Sequence, residues 1–178
     1  MGFRVAFVPG VTPTKWLRVW AERKPRIRIE PLPVDETDQV AVLREDRADV
    51  CFVRLPIDRD GLHAIPLYAE APVVVVAKDD ELTLLDEVDI ADLPAGDLLH
   101  PGPVGVGDAV ELVAAGGGML VLPKSVARLH NRRDVVAVPL TGVPETRIAL
   151  AWPIENPNAL VDDFIGIVRG RTANSSRG

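Results

Sequence analysis

A chain of 178 residues with 47% apolar content can bury a real core, as one large domain or two small lobes, so disorder is excluded as the default state. Its formal net charge of −6, with sixteen arginines and four lysines, argues against a nucleic-acid surface: phosphate neutralisation needs clustered cations, and the basic stretches Arg23–Arg28 and Arg128–Arg133 are short and interrupted. The single cysteine, Cys51, leaves no intrachain disulfide or thiolate metal site, and apolar runs such as Val73–Ala77 fall far short of a membrane span.

Phe3 to Val8 is an apolar strand pattern, not a charged-then-apolar leader, so a cytoplasmic protein is expected. Pro9-Gly10-Val11 turns this strand into a helix starting near Pro13, with Thr12 at the N-cap position and Trp16, Leu17 and Trp20 on one face. Ile27 to Leu32 alternates as a second strand, and Pro31 and Pro33 suit a sheet edge. Asp35 can cap a helix running to about Arg47 with Val40, Ala41 and Leu43 inward. Val50 to Val53 then forms a third, fully buried strand with Cys51 as a small core residue. This β-α-β-α-β order requires parallel strands joined by right-handed crossovers, and in such sheets ligands bind beyond the carboxyl ends of the strands. Those ends are Pro9-Gly10-Val11-Thr12, Val34-Asp35-Glu36-Thr37 and Arg54-Leu55-Pro56.

Leu62–Leu67 and Pro72–Ala77 are the next strands. The second is the expected crossover between lobes, because it is apolar without alternation. Lys78 to Glu81 marks a surface turn and Asp89 to Leu93 a single helical turn. A helix from Asp108 to Ala115 breaks on Gly116–Gly118 into a strand, Met119–Leu122, buried on both faces, and Pro123 is placed to open the following helix over Lys124–Leu129. A strand from Val135 to Val138, a return strand from Thr146 to Trp152 and an amphipathic helix over Asn158–Arg169, with Leu160, Phe164, Ile165 and Val168 inward, complete the pattern. The polar tail from Thr172 to Gly178 is expected to fray.

Taken in order, Arg4-Val5-Ala6-Phe7-Val8, Ala48–Val53, Leu67-Tyr68 leading into Val73–Val76, the Asp79–Leu82 turn, Ile90-Ala91-Asp92-Leu93 and the Val113–Pro123 segment resemble the effector-binding domain of LysR-type transcriptional regulators. The resemblance runs from Phe3 to Arg169. It implies a two-lobed α/β fold of the periplasmic-binding-protein type 2 kind, with mostly parallel sheets flanked by helices. The lobes would comprise residues 1–72 and 73–152, with a C-terminal helix over 153–171 returning to the first. Only Leu98–Pro103 separates the crossover region from the helix at Asp108, where the family usually has a further strand and helix, so the second lobe is expected to be abbreviated. Such regulators normally carry an N-terminal winged helix-turn-helix, whereas here the sensor strand begins almost at Met1, so direct DNA binding is not expected.

The resemblance also implies capture of a small, usually anionic metabolite between the lobes, against the turn after the first strand. There Gly10, Val11 and Thr12, with Thr14 one residue into the helix, would offer backbone N–H groups and hydroxyls to a carboxylate. Thr12 has an equally good reading as an N-cap serving its own helix. Glu36 and Thr37 occupy a second contact position, where Glu36 would repel an acidic effector. Arg54, followed by Leu55 and Pro56, can supply a bidentate charge to a carboxylate or stand as an exposed strand-end arginine. His100, between the lobes, can gate the cleft by titrating near neutral pH. His63 and His130 read as surface residues, no metal-ligand spacing occurs, the glycines of Gly102–Gly107 lack the lysine of a phosphate loop, and Ser125 has no base near it in sequence.

Three readings follow. The first is a cytoplasmic metabolite sensor without a cofactor, acting through a homodimer that buries the Trp16–Trp20 helix or through a partner protein. The second is an interaction module that kept the fold and lost its ligand. The third, an enzyme on the same fold, lacks a clustered acid-base or nucleophilic set.

Overall fold

A computed structural model describes residues 2–102, 105–156 and 158–170. The chain divides into two compact units: unit 1 is Met1–Tyr68 with Arg147–Gly178, and unit 2 is Ala69–Thr146.

Unit 1 is built on β1 (Phe3–Phe7), α1 (Thr14–Arg23), β2 (Ile29–Pro33), α2 (Ala41–Arg44), β3 (Val50–Leu55), most of β4 (Leu62–Glu70), β9 (Thr146–Pro153) and α5 (Leu160–Val168). The sheet order is β2-β1-β3-β9-β4. β1 pairs in parallel with both β2 and β3, as the β-α-β-α-β order requires, whereas β9 returns antiparallel to β3. The proline-bearing β2 lies at the edge, where a missing N–H costs no ladder bond. One face of the sheet is covered by α1 and α5, whose aromatic residues form the core: Phe3 stacks on Trp20 with centroids 4.8 Å apart, and Trp16 on Phe52 at 4.6 Å. Trp16 and Trp20 are therefore core residues, and the Trp20 indole N–H donates to the Ile27 carbonyl at 3.0 Å. The other face packs Ala6, Cys51, Val53, Ala149 and Ala151 against Val42 and Leu43 of α2.

Several local expectations give way here. The segment expected as one helix from Asp35 to Arg47 is a 3₁₀ turn over Glu36–Asp38 followed by the single-turn α2, and Asp35 makes no capping bond. The break serves β3. The Gln39 side chain, buried in the gap, accepts from the Arg54 N–H at 2.8 Å and donates to the Arg54 carbonyl at 3.1 Å. Val42 and Leu43 of the short α2 are both buried against the sheet. Thr12 is not the N-cap of α1. Pro13 holds that position and its carbonyl accepts from the N–H groups of Trp16 and Leu17, because the fixed φ of proline already suits a first turn.

Unit 2 contains the four-stranded sheet β6-β8-β5-β7, from β5 (Pro72–Ala77), β6 (Val88–Asp89), β7 (Leu120–Pro123) and β8 (Val135–Thr141), with α3 (Gly105–Ala114) and α4 (Lys124–Leu129). The expectation of mostly parallel pairing fails here, since β5 is antiparallel to both β7 and β8 and only β6–β8 is parallel. β7 and β8 do run in the same direction across the α4 crossover, but β5 is inserted between them. That central position explains the unalternating valines of Pro72–Ala77. The strand expected to cross between lobes lies wholly within unit 2, and the chain leaves unit 1 at Tyr68 within β4. β7 is an edge strand with alternating burial instead of burial on both faces, and Pro123 is extended, ending β7 rather than opening α4. α3 starts at Gly105, three residues before the expected Asp108.

Gly116 and Gly118 have φ of +81° and +142°, as the glycine break demands, and a Cβ at Gly118 would fall 2.6 Å from the Asp97 carbonyl oxygen. Among the described residues, the stretch between β6 and α3 carries 3₁₀ turns over Ile90–Asp92 and Ala95–Asp97 and one bridge, Leu98 to Met119, where a full strand and helix would be expected from the family pattern. Pro103 and the tail Thr172–Gly178 lie outside the described residues.

Candidate functional site

The parallel order β2-β1-β3 sets the carboxyl ends of three neighbouring strands side by side, and the structure brings their loops together on Arg54. The side chain of Arg54 is only 3% exposed. Its guanidinium donates to Glu36 Oε2 at 3.0 Å and to the Pro9 carbonyl at 3.0 Å, so residues that follow β1 and β2 converge on the end of β3. Arg54 is thus a buried, charge-paired clamp, not an exposed strand-end arginine. Glu36, about half exposed, spends its charge on that clamp. Gln39 fixes the Arg54 backbone from the same side.

The turn after β1 is shaped by Gly10, at φ +91°, and closed by a bond from the Val11 N–H to the Val8 carbonyl. Val11 is buried in the unit 1 core, while Thr12 and Thr14 are exposed. Among the described residues, no acceptor is found for the N–H groups of Thr12, Thr14 and Lys15, and the hydroxyls of Thr12 and Thr14 have no partner. Unbonded N–H groups at the start of a ten-residue helix attract anionic or acceptor atoms. Thr37 is exposed beside Glu36, Leu55 is half-buried, and Pro56 is exposed after a cis peptide bond. His100 is exposed and belongs to unit 2; His63 is exposed, tilted against Trp152 at 5.5 Å, and His130 is half-buried.

Two features escape sequence reasoning. Ser125, without a base near it in sequence, donates to the buried carboxylate of Glu70, 55 positions away, which also accepts from the Thr146 hydroxyl at 3.4 Å. A cavity of about 1080 Å³ lies at the amino ends of β1 and β3, opposite to Pro9 and Arg54. Its arginines are already engaged: Arg4 bonds Asp46 and Asp49, which hold its guanidinium strongly protonated, and Arg44 pairs with Asp58. No signal in the sequence places Arg4 and Asp49 together. Among the described residues no group of His, Cys, Asp and Glu is arranged to hold a metal ion, and no helix is long and apolar enough to cross a membrane.

Cys51, on the middle of β3, is fully buried. Burial pushes its thiol up to about 12, with a smaller contribution from the negative charge of Asp38.

The model of the LysR substrate binding domain matches residues 3–109, more than half of the chain. The chain belongs to that family. A probable hydrogen peroxide-inducible genes activator from Mycobacterium avium is 27% identical over 184 aligned positions, covering 85% of this chain; the chain spans 58% of that relative's length. The fold is shared with an OxyR regulatory domain C199D mutant from Pseudomonas aeruginosa, with a TM-score of 0.75 at 19% identity, covering 95% of this chain and 97% of that one. It is shared equally with the BenM effector-binding domain with its effector benzoate, with a TM-score of 0.76 at 22% identity, covering 99% of this chain and 94% of that one. These likenesses establish the two-sheet α/β architecture of type 2 periplasmic-binding-like regulatory domains, with the local departures described above.

Proposed function

We propose that this LysR-type domain is a non-enzymatic cytoplasmic sensor. It binds a small-molecule effector at Gly10–Thr12, Thr14, Glu36, Thr37 and Arg54–Pro56, and passes the bound state on through self-association or a partner protein. The observation that carries the reading is the convergence of three loop ends on the buried Arg54, beside helix-start N–H groups and hydroxyls that have no partner among the described residues. A carboxylate fits those donors. The pairing of Glu36 with Arg54 reduces the repulsion that Glu36 alone would exert on an acid, so an anionic effector is consistent with this site. Benzoate, the effector named for BenM, is a natural first probe.

Binding transmits a signal only where the effector distinguishes two states of the domain. The Mycobacterium avium relative is named for hydrogen peroxide, but a thiol-based peroxide response is not supported for this chain: peroxide attacks thiolates, and Cys51 is buried with its ionisation strongly suppressed.

The test is a thermal-shift screen against benzoate, aliphatic carboxylates, amino acids and nucleotides, with Thr12→Ala as control. An effector at about a hundred times its dissociation constant adds about 2.7 kcal/mol of stability, a shift of several degrees for a chain this size. The expected result is a shift for one chemical class that Thr12→Ala abolishes. No shift across the panel, confirmed by calorimetry, overturns the sensor reading.

A further inference from the structure

Strands β1 and β2 run parallel with Phe7 opposite Pro33, and the Val34 N–H donates to the Phe7 carbonyl at 3.0 Å. Neighbouring strands lie about 4.8 Å apart, so the turn after β1 and the loop after β2 leave the sheet side by side. Their chemistry is opposite. From Met1 to Ala21 there is no carboxylate, and the turn into α1 offers the unbonded N–H groups and hydroxyls of Thr12 and Thr14. Lys15 follows, its ammonium 4.5 Å from the Trp16 ring centroid and without an ion pair among the described residues. The loop after β2 carries Asp35, Glu36 and Asp38, with no basic residue before Arg44.

The carboxylates of that loop are not equivalent. Both oxygens of Asp38 are taken by Arg47. Glu36 gives Arg54 only Oε2, at 3.0 Å, and its Oε1 has no partner among the described residues on a side chain that is 53% exposed. The same guanidinium donates to the Pro9 carbonyl at 3.0 Å, so one planar group holds the donor-rich turn and the acidic loop at a fixed separation. The positive charge of Arg54 is matched by Glu36, which leaves a pole of donors on one loop facing outward beside a carboxylate oxygen on the other.

We propose that the effector is an α-amino acid. Its carboxylate accepts from the N–H groups and hydroxyls at the start of α1, and its ammonium donates to Glu36 Oε1. The inference rests on the effector site proposed above and names the ligand class that fills it. The two charged groups of an α-amino acid sit on one carbon, so they are met together only by poles on adjoining loops, and β1 and β2 are neighbours in the sheet. A deaminated acid leaves Glu36 Oε1 unmatched beside a bound negative charge, and a decarboxylated amine leaves the helix-start donors unmet. Charge-assisted hydrogen bonds are about twice as strong as neutral ones, so full affinity needs both groups.

The test is isothermal titration calorimetry on the full chain with the proteinogenic L-amino acids. Each one that binds is compared with the same side chain on the deaminated acid and on the decarboxylated amine, as in phenylalanine against hydrocinnamate and phenethylamine. The amino acid is expected to bind about tenfold or more tightly than either analogue, since each lacks one charged hydrogen-bonding group. Glu36→Gln, which keeps the length of the side chain and an oxygen for Arg54, should erase most of the preference for the amino acid over the deaminated acid. A merely structural role for Glu36 would instead weaken both ligands alike, and that result overturns the inference. Binding of benzoate or an aliphatic carboxylate that Thr12→Ala abolishes, with no amino acid bound, overturns the amino-acid class and leaves the sensor reading standing. Failure of every amino acid and every carboxylate to bind overturns both.

Discussion

Cys51 offers the most quantitative test of how the core of unit 1 shapes chemistry. Burial pushes its thiol up to about 12 in the folded chain, from an ordinary value of 9.0. At pH 7.5 the thiolate fraction falls from about three in a hundred to about three in a hundred thousand, a suppression of roughly 1000-fold before steric exclusion is counted. A raised folded value also fixes the sign of the pH dependence. The stabilising contribution of this group is whole below the free-thiol range and declines as pH rises towards 12, because only the unfolded chain releases the proton. The loss reaches about 1.4 kcal/mol at pH 10 and continues at about 1.4 kcal/mol per pH unit. Other groups titrate in this range too, so the measurement is the difference between wild type and Cys51→Ala in urea unfolding at pH 8 and pH 10. The wild type should lose about 1.4 kcal/mol more than the variant. Alongside this, the native protein should react with a disulfide reagent or peroxide about a thousand times more slowly than the urea-unfolded chain. Parallel pH profiles, or a native thiol that reacts as fast as the unfolded one, would refute the reasoning and reopen a peroxide response through Cys51.

Further predictions concern positions where one contact does a definable job. Gln39→Leu leaves the N–H and carbonyl of Arg54 without their side-chain partners in a buried setting, and should cost about 2–4 kcal/mol in chemical unfolding while weakening effector binding; an unchanged unfolding midpoint would contradict the role assigned to Gln39. Gly118→Ala should destabilise by about 2 kcal/mol or more, because φ is +142° and the new Cβ meets the Asp97 carbonyl oxygen; a neutral result would mean the Asp97–Met119 region readjusts freely. Trp20→Ala removes a fully buried indole stacked on Phe3, and about 3–5 kcal/mol of stability with it, along with near-ultraviolet circular dichroism from the aromatic cluster. Persistence of that spectrum at full strength would place the signal elsewhere.

The repetitive part of this fold was readable from local pattern. The unalternating valines of Pro72–Ala77 became the central strand of unit 2, Lys124–Leu129 is a helix with those bounds, and Thr146 to Trp152 is the strand that returns to unit 1. Each depends on residue types within a few positions of one another, which periodicity reports directly. Reading failed where a side chain was recruited from afar. The Asp35–Arg47 helix breaks where Gln39 bonds the backbone of Arg54, fifteen residues on, and no local propensity contains that partner. The cap of α1 moved from Thr12 to Pro13, although both residues stood in the pattern, because proline geometry prevailed over a hydroxyl's capping preference.

The candidate site divides along the same line. The sequence by itself determined that the loops at Gly10–Thr12, Glu36 and Arg54 follow successive strands, since the β-α-β-α-β order forces parallel pairing and sets their carboxyl ends side by side. Whether Arg54 would stand free or be buried, and whether Glu36 would repel an acid or neutralise a base, was decided only by tertiary structure. A charge's environment depends on groups brought within a few ångströms by packing, and those groups come from strands that adjoin in the sheet and lie far apart along the chain.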